Sequence, residues 1–248
     1  MMRGARSEKM IELRDIGWTA PNGKEVLKRI DLVIPDDRLV AITGPNGSGK
    51  TTLARILMGL EKPSRGKIIF DGEDITSLDV TERAKRGISF AFQQPVRFKG
   101  ITVKKMLETA SGRSLGRKGV CNFLQKVGLC GKDYQDRDID STLSGGEIKR
   151  IEIATVLARS SKLSIFDEPE AGIDIWSFQN LISTFDEMRR DLKGTLVIIS
   201  HQERILKIAD EIALILGGTV AERGPGPEMV AKMLAAGQMP ANCCSGKE

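Results

Sequence analysis

The residues best placed to do chemistry begin at Gly44. The run Gly44-Pro45-Asn46-Gly47-Ser48-Gly49-Lys50-Thr51, followed by Thr52, fits the pattern G-x-x-x-x-G-K-[ST]. Successive backbone N–H groups of such a glycine-rich turn face inward and form a nest for phosphate oxygens. The helix that follows directs its positive end at the same point. Lys50 would reach the β- and γ-phosphates as a point charge, and the Thr51 hydroxyl would ligate Mg2+. The flanks agree, with 39–43 reading as a buried strand and 52–58 as a helix. This stretch implies a bound nucleoside triphosphate.

A second constellation lies at 163–168, where a short apolar run delivers Asp167 and Glu168 side by side. A buried strand end is a poor place for adjacent acids unless they meet cations or a reacting group. Asp167 is suited to hold Mg2+ beside Thr51, and Glu168 to polarise an attacking water. Further back, Ser144-Gly145-Gly146-Glu147 opens a helical stretch with the Ser-x-x-Glu spacing of a capping box. Capping does not explain two glycines in a first turn, where they lower helix propensity. Bare glycines there leave room for a second phosphate at the helix N-terminus. Two phosphate sites in one chain suggest one nucleotide held between two subunits. His201, the only histidine, follows another apolar run at 195–200.

The elements that must position these residues alternate. Strands are expected at 9–16, 25–34, 39–43, 67–72, 88–92, 163–166 and 195–200, with a hairpin-like segment at 213–221. Helices are expected at 52–58, 79–86 (capped by Asp79), 144–159 and 175–192. Another is expected after His201, and one more after Gly224. The stretch 95–143 carries helix-periodic apolar residues and no convincing strand. Two consecutive strands joined by the short Pro21-Asn22-Gly23 turn imply an antiparallel sheet at the N-terminal end. The later apolar runs, separated by helices, imply a largely parallel sheet. Ligands of such sheets sit outside the carboxyl ends of the strands. Gly44, Gln93, Asp167 and His201 all fall at such ends.

The chain has 248 residues and a formal net charge of +5, with 40% hydrophobic and 29% charged residues. Those values suit a globular protein with a sizeable core. The basic residues are scattered, whereas a nucleic-acid surface needs them clustered on one face, so no nucleic-acid partner is expected. The apolar runs are too short to span a bilayer, and the N-terminal residues show no secretory h-region. No direct membrane insertion is therefore expected. The four cysteines, Cys121, Cys130, Cys243 and Cys244, form no C-x-x-C pair and have no neighbouring histidine. Reduced thiols of a cytoplasmic protein are the expectation. Adjacency alone assigns Cys243 and Cys244 no metal or cluster role.

Taken in order, Trp18, the phosphate loop, Gln93, Leu143 to Glu147, Asp167 with Glu168, Ala171-Gly172-Ile173-Asp174 and His201 resemble the ATP-binding-cassette (ABC) ATPases. The likeness covers nearly the whole chain. It implies an α/β fold, a P-loop NTPase of ABC type whose mixed central sheet carries an N-terminal antiparallel β subdomain and a helical subdomain. A single domain is implied over 1–248. Its ATP-binding core would be 9–94 and 144–224, its helical subdomain 95–143, and its C-terminal helix and tail 225–248. The resemblance further implies Mg2+-dependent hydrolysis of ATP to ADP and phosphate by a homodimer that ATP closes and hydrolysis reopens. Trp18 would stack on adenine, Gln93 contact Mg2+ and water, and His201 contact the γ-phosphate. Phe92 before and Pro95 after favour Gln93 over Gln94 in that role. Ser144, Gly145, Gly146 and Glu147 would face ATP held by the other copy, and Asp174 would lie between subunits. The aspartate loop departs from the common Ser-Ala-Leu-Asp.

Within that family, the segments 90–96, 144–153 and 201–206 resemble the SufC-type ATPases of iron–sulfur cluster assembly. Glu152 stands where transporter subunits usually carry a small residue. Ile151 departs from the Suf pattern, and 170–175 only approximates it. This finer resemblance implies a soluble SufB-like scaffold as partner, bound at the groove beside Gln93. The alternative is a nucleotide-binding subunit that drives transmembrane permease subunits.

Overall fold

In the computed structural model, residues 9–94, 96–98, 100–140, 142–191 and 194–235 are described; Cys243 and Cys244 lie outside them. Strands β1 (Lys9–Thr19) and β2 (Glu25–Pro35) pair antiparallel. β3 (Leu39–Thr43) is buried at every position and runs through the phosphate loop into α1 (Lys50–Met58). β4 (Arg65–Phe70), β5 (Glu73–Asp74), α2 (Val80–Lys85) and β6 (Ile88–Ala91) follow. Three helices come next: α3 (Val103–Ser111), α4 (Gly116–Lys126) and α5 (Gly131–Tyr134). Alternation resumes with α6 (Gly145–Arg159), β7 (Leu163–Asp167), α7 (Ile175–Asp191), β8 (Thr195–Ile199) and α8 (Glu203–Ile208). The hairpin of β9 (Glu211–Leu216) and β10 (Thr219–Pro225) and helix α9 (Gly226–Ala235) complete the described fold.

The strands form one sheet in the order β5-β4-β1-β2-β10-β9-β3-β8-β7-β6. From β9 to β6 every pairing is parallel, and from β5 to β2 every pairing is antiparallel. β10 joins the halves, parallel to β2 and antiparallel to β9. Alternate residues of β3 serve opposite faces, as the pleat requires. Leu39 and Ala41 pack with α3, α4, α6 and α7, while Val40 and Ile42 pack with α1 and the antiparallel strands. Burial on both faces is why this strand reads as a continuous apolar run.

The expected elements form, with two informative differences. β1 continues through Trp18 to Thr19, where alternation predicts an end near residue 16. Asp15 adopts a left-handed φ of 50°, and the register with β2 shifts between Leu13 and Ile16. This bulge breaks the alternation without ending the strand. The two-residue β5 is too short to leave a periodic signal. Between 95 and 143 the described residues form helices and one isolated bridge, Thr102 to Asp138.

Arg83 is 1% exposed and has no ion-pair partner among the described residues. Its guanidinium donates instead to the carbonyls of Ile56 (2.6 Å), Leu57 (2.9 Å), Leu78 (3.0 Å) and Thr76 (3.1 Å). It thereby satisfies the Leu57 carbonyl, which the end of α1 leaves open, and adds a second donor to that of Ile56, which the Gly59 N–H reaches at 3.1 Å. Burial pulls its pKa down to about 10.

Candidate nucleotide site

β3, β8, β7 and β6 are consecutive and parallel, so their carboxyl ends lie side by side. Those ends carry Gly44, His201, the Asp167–Glu168 pair and Gln93, the grouping expected from sequence. In the phosphate loop, close approach of other chain segments demands two of the glycines. At φ 144°, a Cβ on Gly44 would stand 2.0 Å from the Ile215 carbonyl oxygen. At φ 102°, one on Gly49 would stand 2.4 Å from Leu27 Cδ2. Pro45, Asn46 and Gly47 form the exposed crest, and Thr51 and Thr52 are half-buried in the first turn of α1.

Lys50 is buried, and its ammonium folds back onto the loop, donating to the carbonyls of Gly44 (2.8 Å) and Pro45 (3.0 Å). Burial lowers its pKa, while Glu168 and Asp167 oppose the shift. Asp167 is 2% exposed and accepts a 3.4 Å hydrogen bond from Thr51 Oγ1. Burial raises its carboxyl pKa, which the Thr51 bond offsets in part. Glu168 sits at a left-handed φ of 45° with its N–H on the Ile199 carbonyl (3.0 Å). Gln93 Nε2 donates to Glu168 Oε2 at 2.5 Å, and His201 Nε2 lies 3.8 Å from Oε1. Burial first, then the Lys50 charge, lowers the His201 pKa.

Among the described residues, Ser48 Oγ in the phosphate loop and His201 Nε2 are buried without a hydrogen-bond partner, as is Oε2 of the nearby Glu170. Groups of this kind are costly unless a ligand or water completes them. Ser48 Oγ and His201 Nε2 suit the oxygens of a polyphosphate. Thr51 and Asp167 offer hard oxygen donors, and no group of three or more His, Cys, Asp or Glu able to hold a metal occurs among the described residues. Such a sparse donor set fits Mg2+, which is commonly held by one or two carboxylates together with substrate phosphates.

Ser144, Gly145, Gly146 and Glu147, the signature segment of the family resemblance, occupy a separate patch. Ser144 caps α6, and Glu147 reciprocates, accepting from the Ser144 N–H at 2.6 Å. Tyr134 also donates its hydroxyl to Glu147, and Arg137 lies 3.9 Å away. The Tyr134 bond, then the Ser144 bond, pushes the Glu147 carboxyl down to about 2. Gly145 is open to solvent, and a Cβ on Gly146 would stand 3.0 Å from the Gly172 carbonyl oxygen. The signature thus packs on the loop that carries Asp174. Asp174 accepts from the N–H groups of Trp176 (3.1 Å) and Ser177 (3.0 Å), and the Ser177 bonds lower its pKa. Among the described residues, no hydrogen bond or ion pair joins this patch to the phosphate loop. Trp18 is half-buried and packs on the core cluster containing Leu27 and Val40.

Three neighbours of the site are not apparent in the sequence: Glu170, Ser200 and Tyr134. Ser200 Oγ donates to Glu170 Oε1 at 2.6 Å and accepts from the Gln202 N–H, which ties the end of β7 to the loop bearing His201. Burial raises the Glu170 carboxyl pKa. A Glu just past an apolar strand reads like any solvated acid, and only the fold shows it half-buried against Ser200.

The ABC transporter family profile matches residues 27–171. An uncharacterised ABC transporter ATP-binding protein of Methanocaldococcus jannaschii is 40% identical over 214 residues, covering 83% of this chain and 85% of the relative. A sulfate/thiosulfate import ATP-binding protein of Synechocystis is 33% identical, covering 82% of this chain and 57% of the relative. Among solved structures, cbiO1 of Clostridium perfringens, part of the ABC transporter complex cbiONQ, superposes with a TM-score of 0.76 at 28% identity and 96% coverage of each chain. A dimeric ATP-binding cassette bound to ADP and Pi has the same fold at TM-score 0.76 and 24% identity, covering 87% of this chain and 98% of that one. Among the described residues, no helix is long and apolar enough to cross a membrane. With its ABC-type P-loop NTPase fold, the chain belongs to the ABC transporter family as an ATP-binding cassette.

Proposed function

We propose that this chain is the ATP-hydrolysing subunit of an ABC transporter. Two copies close on ATP, and the motion drives membrane-spanning partner subunits from the cytoplasmic side. The observation that carries the reading is the cluster of Gln93, Glu168 and His201 beside Lys50, Thr51 and Asp167. In this reading the loop N–H groups and Lys50 bind the phosphates, and Trp18 stacks on the adenine. Thr51 and Asp167 would hold Mg2+, with Gln93 nearby; the ion supplies charge neutralisation at the phosphate oxygens. Glu168 orients water and draws its proton as the water oxygen bonds to the γ-phosphorus and the bridging P–O bond to ADP breaks. Gln93 fixes one oxygen of Glu168, and His201 Nε2 donates to the γ-phosphate. Ser144, Gly145, Gly146 and Glu147 meet the nucleotide of the other copy, with Asp174 at the same interface. The core would be 9–94 and 144–224, with 95–143 as the helical subdomain.

The transport and import names of the relatives support membrane-spanning partners over a soluble scaffold. The SufC-type reading keeps one observation in its favour: Glu152, unusual for a transporter subunit, bonds the Phe92 N–H at 2.8 Å. Native purification with and without detergent, identifying partners by mass, decides between them. A polytopic partner recovered only in detergent supports the transporter. A soluble partner carrying iron and sulfide overturns it.

A further inference from the structure

Lys149 and Glu152 lie one turn apart on α6, 3.6 Å from each other. Lys149 is 0% exposed, a rare state for lysine unless it is paired. Burial lowers its pKa and raises that of Glu152, so each charge depends on the other. Both also grip the chain just before Gln93. Phe92 N–H donates to Glu152 Oε1 at 2.8 Å. Lys149 Nζ donates to the Phe92 carbonyl and, at 3.4 Å, to that of Gln93. Phe92 lies past the end of β6, an edge strand, where the sheet ladder no longer holds it. One ion pair therefore takes both main-chain polar groups of Phe92 and the next carbonyl. Buried pairs contribute little net stability compared with apolar packing. What apolar side chains could not supply is this directional hold on the backbone.

We infer that Lys149 and Glu152 are positioning residues that set Gln93 against Glu168, a role resting on the ATPase reading above. The pair links the helix headed by Ser144 to the residue that contacts the catalytic carboxylate, so the signature helix and Gln93 move as one unit.

The test uses the full chain with Lys149→Met, Glu152→Gln and the double variant. The double variant removes both charges and is expected to fold where a single change leaves one charge buried and unpaired. Two readouts are taken. The first is the side-chain amide signal of Gln93 in protein labelled with 15N-glutamine, assigned by its loss in Gln93→Ala. In the double variant this signal should move to the position of a free, rapidly exchanging amide. The second is steady-state ATP hydrolysis. The kcat should fall roughly 10- to 100-fold, the scale for a misplaced group, while KM for ATP stays within about twofold. In a Gln93→Ala background the same changes should lower kcat by less than about twofold, since residues acting through one group are non-additive. An unmoved Gln93 signal overturns the inference, and so does an equal kcat loss with and without Gln93. A wild-type chain without ATPase activity would sink the functional reading instead, with the amide signal still deciding whether the pair positions Gln93.

Discussion

The Gln93 side-chain amide donates to Glu168 across 2.5 Å, joining the ends of two adjacent strands, β6 and β7. His201, at the end of β8, approaches the other carboxylate oxygen at 3.8 Å. Three consecutive strand ends thus converge on one carboxylate beside the phosphate loop. This arrangement needs the parallel half of the sheet, where neighbouring strands end on the same side. Removing the Gln93 amide should leave ATP affinity within about twofold and lower kcat roughly 10-fold or more, as loss of an orienting group does. Equilibrium ATP binding and steady-state turnover of Gln93→Ala check both.

His201 should titrate below 6.5 in the nucleotide-free chain, because burial and Lys50 disfavour its charged form. The neutral ring then favours the folded state, a contribution present above the unfolded value and lost as pH falls below it. As the chain's only histidine, its ring proton is resolved by NMR without assignment. Lys50→Met should raise the midpoint partway, leaving the effect of burial. A wild-type midpoint at or above 6.5 contradicts the geometry.

Arg83→Met should destabilise the fold by about 3 kcal/mol, since the buried Leu57 carbonyl loses its donor and the Ile56 carbonyl keeps only the Gly59 N–H. For a chain of this size, that corresponds to a fall in Tm of roughly 6–12 °C. Thermal unfolding measures it directly. Nucleotide affinity of the folded variant should be unchanged, because Arg83 lies at the far end of α1 from Lys50.

Tyr134→Phe should weaken the signature patch by roughly 1.5–3 kcal/mol near neutral pH, the scale of one bond to a charged group. Glu147 falls from 4.5 to about 2 in the folded chain, so its ionised form stabilises the fold above about pH 4.5. That contribution fades as pH drops toward 2. The gap between wild type and variant in denaturant unfolding should therefore be full at pH 6 and shrink between pH 4.5 and 2. A gap independent of pH would contradict the assigned bond.

What the sequence shows well is local. The spacing from Gly44 to Thr51, the caps of Asp79 on Glu82 and Ser144 on Glu147, and the buried run 163–167 each depend on neighbours a few residues away. What it hides depends on contacts across the fold. Lys149 meets Phe92, and Ser200 meets Glu170, only after distant strands and helices pack. The bulge at Asp15 conceals the true length of β1. The SufC-type resemblance has the same root. Its segments 90–96 and 144–153 are the two halves of one contact, Phe92 with Lys149 and Glu152. They report a local device, whereas a relative matched over most of the chain is named an ABC transporter ATP-binding protein.

The most direct measurement is ATP turnover and solution mass of wild type and Glu168→Gln in Mg2+ and ATP. Wild type should hydrolyse ATP. Glu168→Gln should be slower by roughly 100-fold or more, on the scale of lost general-base catalysis, and should accumulate by light scattering at twice the 27.1 kDa monomer mass. Undiminished turnover in Glu168→Gln, or a mass that stays monomeric with ATP, would contradict the account.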